Sequence, residues 1–127
     1  MAFLLDTHTF IWFINGDTSL PKKVINKIRN LVNQCYLSIA SIWEIAIKLK
    51  LNKLSLLSDF DRISVFLDEN QIEILPITFN HIQSLNQLAF HHRDPFDRII
   101  IAQGISEGLI ILTKDENFNL YGASIFW

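Results

Sequence analysis

Ala2-Phe-Leu-Leu5, closed by Asp6, is four apolar residues ended by an acid. The run is too short for a helix and suits a strand buried on both faces, which requires layers on either side of a sheet. Working outward, residues 7–14 begin a helix with Thr7 as its cap, and Asn15-Gly-Asp17 is a turn signal. Pro21 opens an amphipathic helix over 21–33, in which Val24, Ile25, Ile28, Leu31 and Val32 recur at helical spacing. Residues 35–38 read as a strand and 41–50 as a helix whose Ser41 and Glu44 form an S-x-x-E capping box. Further on, 59–70 reads as a helix, 72–77 as a strand limited by Pro76, and 80–89 as a helix. Asp94-Pro95 starts a helix through 105 and Gly108 marks its end. Residues 109–113 form a β-branched strand and 124–127 a short last one. Strands alternating with helices predict an α/β domain with a central, mostly parallel sheet of four or five strands.

The 127 residues fit one domain, 1–127. Half are apolar and 19% are charged, a composition that folds without disulfides. Eleven basic against 13 acidic residues give −2, which excludes a general basic coat for nucleic acid. The single Cys35 excludes an internal disulfide and a multi-cysteine zinc site. No basic leader and no run near the roughly 20 apolar residues that span a bilayer are visible, so a soluble, cytoplasmic protein with no membrane association is expected.

In such sheets ligands bind beyond the carboxyl ends of the strands. Asp6 follows the first strand, Asp115 comes two residues after the strand at 109–113, Asp94 and Asp97 lie at a helix start, and Glu44 lies in the first turn of another helix. Two unit charges about 4 Å apart repel by roughly 4 kcal/mol at an effective dielectric near 20, so clustered carboxylates call for a cation. Oxygen donors without cysteine suit Mg²⁺ or Mn²⁺, which can lower the pKa of a water and orient it toward phosphorus. Each acid also has a plainer role. Asp94 can cap the helix that Pro95 begins, and Asp97 can favour its dipole. Glu44 can complete the capping box or pair with Lys48. Asp115 can be a turn residue, and Asp6 can cap the helix that follows it.

Four segments carry a family likeness: Leu4-Leu-Asp-Thr-His-Thr-Phe-Ile-Trp12, Ser38-Ile-Ala-Ser-Ile-Trp-Glu-Ile-Ala-Ile-Lys48, His92-Arg-Asp-Pro-Phe-Asp-Arg-Ile-Ile-Ile-Ala-Gln103 and Leu112-Thr-Lys-Asp-Glu-Asn-Phe118. In this order they resemble the PIN-domain motifs of VapC-type toxins. The resemblance implies a PIN-like three-layer α/β sandwich and a Mg²⁺- or Mn²⁺-dependent endoribonuclease. It also implies an antitoxin protein as partner and a homodimer. By motif its metal-binding, catalytic acids are Asp6, Glu44, Asp97 and Asp115, with Asp94 and Thr113 in support. Lys48, Arg93 and Arg98 are candidates for holding the RNA backbone, or else partners of the acids. His8, His81, His91 and His92 show no metal-ligand spacing. Trp12, Phe13 and Phe126-Trp127 are candidates for an apolar surface that a partner covers.

A phosphatase using Asp6 as nucleophile, in the haloacid dehalogenase manner, wants a second Asp two residues on, where this chain has His8. A receiver domain wants a phospho-acceptor Asp in mid-chain. The non-enzymatic alternative is a PIN-fold module that binds RNA or protein without cutting.

Overall fold

The structure is a computed structural model describing residues 1–91 and 94–127; His92 and the predicted RNA contact Arg93 lie outside the described residues. Five strands, β1 (Ala2–Leu5), β2 (Gln34–Ser38), β3 (Ile72–Leu75), β4 (Ile110–Leu112) and β5 (Ile125–Phe126), make one sheet in the order β3-β2-β1-β4-β5. Every neighbouring pair is parallel. The helices are α1 (Thr7–Asn15), α2 (Lys22–Arg29), α3 (Ile39–Lys50), α4 (Ile63–Glu69), α5 (Phe79–Gln87) and α6 (Pro95–Glu107).

Side chains alternate along β1, and this divides the core. Phe3 and Leu5 pack with Phe10, Phe13, Val24, Ile28 and Leu67 from α1, α2 and α4. Leu4 points the other way, into a cluster with Ile100 and Ile101 of α6. The result is a three-layer α/β sandwich with a fully parallel sheet, matching the expected class. Phe3, Leu4 and Leu5 are all but inaccessible, as a strand buried on both faces requires.

The boundaries differ from the pattern in instructive ways. α2 stops at Arg29, and Leu31 and Val32 stand out in solvent at 75% and 83% exposure. The chain has to turn at Asn30–Asn33 so that Gln34 N–H can reach the Met1 carbonyl and start β2 beside β1. α3 begins two residues early at Ile39, because Ser38 Oγ, not Ser41, accepts the first free N–H, that of Ala40, at 3.1 Å. The Ser41–Glu44 capping box is therefore absent, and Glu44 sits in the second turn. The expected helix over 59–70 divides into a 3₁₀ turn (Phe60–Arg62) and α4. α5 is closed by a reciprocal cap in which Thr78 Oγ1 accepts from His81 N–H and His81 Nδ1 accepts from Thr78 N–H.

Candidate active site

β1 runs on to β2 at one side while β4 lies at its other side, so the carboxyl ends of β1 and β4 flank the point where the strand order reverses. That crevice is where open α/β sheets take ligands. Asp6 stands at the end of β1 and Thr113 just past β4. Their side chains meet: Thr113 Oγ1 donates to Asp6 Oδ2 at 2.6 Å. Asp6 Oδ1 accepts from Thr9 N–H at 2.8 Å, so Asp6 rather than Thr7 caps α1. Burial pushes the Asp6 carboxyl above its ordinary pKa, against the hydrogen bonds from Thr113 and Thr9.

Thr7, freed from capping, faces α3. Its hydroxyl lies 2.8 Å from Glu44 Oε1 and 2.9 Å from Ser41 Oγ. Thr7 is the donor in both contacts, and with one proton to give it serves one of the two oxygens at a time. The second Glu44 oxygen pairs with Lys48 Nζ at 2.8 Å, one helical turn on. Glu44 is 3% exposed, with one partner on each carboxylate oxygen. Asp115 N–H donates to Thr113 Oγ1 at 3.0 Å, and Asp115 Oδ1 accepts from Asn117 N–H, capping the 3₁₀ turn Glu116–Tyr121. Thr113 thus links Asp6 to Asp115. Asp94 caps α6 through Phe96 N–H and Asp97 N–H at 2.8 and 3.2 Å.

Asp97, in the first turn of α6, is the electrostatic centre of the group. Its carboxyl is pushed up to about 7, first by burial and then by the negative charges of Asp94, Glu44, Asp6 and Asp115. The other four acids singled out in the sequence therefore all act on Asp97. Among the described residues no three His, Cys, Asp or Glu side chains stand as a ready-made metal cage. The donor chemistry nevertheless fits a hard cation. Mg²⁺ is held by one or two carboxylates while keeping several waters, and carboxylate and hydroxyl oxygens line the crevice.

Of the basic candidates, Lys48 is tied to Glu44, whereas Arg98 turns outward, donating to the Ala89 carbonyl at 3.0 Å with its guanidinium 4.9 Å from the Phe90 ring centre. Trp12 and Trp127 pack with ring centres 5.9 Å apart, Lys114 above Trp12. His81 is buried as the α5 cap partner. Sequence reasoning missed Thr7, Thr9 and Ser41 as fasteners of the rim. The hydroxyls Thr7 and Thr9, either side of His8 in the first turn after an acid, were the available signal.

The family model for the PIN domain matches residues 3–123. Among curated proteins none matches at a significant level. Solved structures similar to this chain include VapBC2 from Rickettsia felis bound to a promoter DNA fragment, with a TM-score of 0.75 at 16% identity over 99% of this chain and 98% of that one. FitAcB from Neisseria gonorrhoeae gives 0.69 at 18% identity over 98% and 96%. VapBC-1 from nontypeable Haemophilus influenzae gives 0.73 at 15% identity over 99% and 97%.

Proposed function

The chain belongs to the PIN domain family, and from that membership and the acidic rim we propose that it is a Mg²⁺- or Mn²⁺-dependent endoribonuclease, the toxin of a toxin–antitoxin pair. The observation that carries the reading is the convergence of Asp6, Glu44, Asp94 and Asp115 on Asp97, whose carboxyl they and burial lift to about 7. Carboxylates are packed in this way, at a cost to the fold, where a cation is to be held. Asp6 and Asp97 are the proposed principal ligands, with Glu44 and Asp115 completing the site. A divalent cation there would supply a Lewis acid that makes water a nucleophile near neutral pH and offsets charge on the phosphate.

The chain's own residues do the positioning. Thr113 holds the Asp6 carboxylate in one orientation and aligns Asp115 through its N–H. Thr7 and Lys48 fix both oxygens of Glu44. Asp94, as cap, sets the first turn of α6 and with it the place of Asp97. RNA as substrate and an antitoxin as partner are supported by the motif resemblance to VapC-type toxins and by the likeness to the VapBC and FitAcB structures. A homodimer in the cytoplasm completes the reading; no helix among the described residues is long and apolar enough to cross a membrane.

The test is cleavage of a panel of labelled cellular RNAs by purified protein with Mg²⁺, Mn²⁺ or excess chelator, beside Asp97→Asn and Asp6→Asn. Discrete cuts that need metal and both acids are expected. RNA that is bound but never cut under any condition would replace the enzyme with a binding module.

A further inference from the structure

Trp43 is 62% exposed, and an indole left in water is a large apolar surface held out of the core. It lies on α3 immediately before Glu44, and its ring meets that of Phe96, one residue before Asp97, with centres 5.2 Å apart at 80°. The pair therefore bridges α3 and the first turn of α6, flanked on each helix by an acid of the candidate site. A perpendicular contact engages at most one face of the indole, so Phe96 braces Trp43 while the rest of the ring stays exposed.

Resting on the ribonuclease reading above, we propose that Trp43 is a specificity-determining residue. It stacks an unpaired base of single-stranded RNA next to the phosphate to be cut, with Phe96 as its brace. A phosphate drawn to the acids through a cation leaves its adjoining base within reach of the rim, and every base offers a π face that an indole can cover. Larger purine rings stack better, which gives the cut site a base bias without hydrogen-bond readout. The basic side chains near the rim are partly committed, Lys48 to Glu44 and Arg98 to the Ala89 carbonyl. Stacking on Trp43 adds a hold on the nucleotide that draws on neither of these side chains.

Ile39 and Ile47 share the Trp43 side of α3 at 40% and 37% exposure, so the competing occupant of this face is a second protein chain. The two occupants differ in chemistry. A protein interface needs apolar bulk at Trp43 and Ile47 alike, whereas a base needs an aromatic ring at Trp43 alone.

The experiment is digestion of a randomised single-stranded RNA pool with Mg²⁺ or Mn²⁺, with cut ends sequenced and rates measured, for the wild type, Trp43→Leu, Trp43→Phe and Ile47→Ser. The expected result is a purine bias at one position flanking the cut. Trp43→Leu should lose the bias and fall roughly ten- to hundred-fold in kcat/KM, mainly through KM. Trp43→Phe should keep the bias, and Ile47→Ser should cut as the wild type does. Trp43→Leu cutting with the wild-type bias and rate overturns the proposal and leaves the ribonuclease reading standing. Trp43→Leu and Ile47→Ser losing self-association and activity together overturns it in favour of a second copy. A wild type that cuts nothing in the pool removes the ribonuclease reading and this proposal with it.

Discussion

Asp97 is raised to about 7 from an ordinary 3.8, so between roughly pH 4 and 7 the folded chain keeps a proton that the unfolded chain has released. Stability attributable to this group is therefore greatest at low pH, declines through that window and levels off above about 7. Asn at this position removes the titration. In chelator, Asp97→Asn should melt several degrees above the wild type at pH 8 and close to it at pH 4, on the order of the shift that 1 kcal/mol produces in a domain of this size. Added Mg²⁺ should narrow the gap at pH 8. Parallel melting curves for the two proteins between pH 4 and 8 would remove the electrostatic centre from Asp97. Asp6, Asp94, Asp97 and Asp115 were legible as candidates because they follow a strand or open a helix, whereas Glu44 stands in the second turn of α3. The fastening of the acids was not legible, because hydrogen bonds such as that from Thr7 to Glu44 join positions that only the packing of α1 against α3 brings together.

At the scale of elements, types and order were legible from periodicity and ends were not. Leu31 and Val32 continue the apolar pattern of α2, yet the chain leaves the helix at Asn30 because β2 must start beside Met1. Tertiary pairing decided that boundary against the local pattern. Ser41 and Glu44 have the spacing of a capping box, yet Ser38 stands nearer the true helix start and takes the role. Another element-level constraint lies where α6 crosses β4. A Cβ on Gly104 would stand 2.7 Å from Ile111 Cδ1 and 2.8 Å from its Cγ1, and Ile111 is fully buried. Alanine gains about 1 kcal/mol of helix propensity over glycine, while overpacking costs about 1–3 kcal/mol, so the clash wins. Gly104→Ala should lower the urea midpoint with an unchanged m value. A midpoint above that of the wild type would mean that α6 has room to move off the sheet.

For the molecule as a whole, the sheet is stitched from both ends of the chain: Phe3, Leu4 and Leu5 pair with Ile110, Ile111 and Leu112. Asp6 N–H also donates to the Leu112 carbonyl and Thr9 Oγ1 donates to the same oxygen at 2.8 Å. A chain stopped after Gly108 keeps three of the five strands and leaves β1 with an open edge. It should show no cooperative thermal transition by circular dichroism, whereas a sigmoidal melt would show that β1–β3 with their helices stand alone. The parallel α/β class was legible from the alternation of elements, but the central place of β1 was not, since no local pattern says which strands are neighbours.

The bond from Thr113 to Asp6 joins residues 107 positions apart. Chains are made from the N-terminus onward, so Asp6, Glu44 and Asp97 are all synthesised before the strand and the threonine that hold the first of them in place. A chain grown only to the end of α6 therefore carries Asp6, Glu44 and Asp97 without the strand and threonine that fix Asp6. For the ribonuclease proposed above, the acids would therefore gain their arrangement only after β4 and Thr113 have been made.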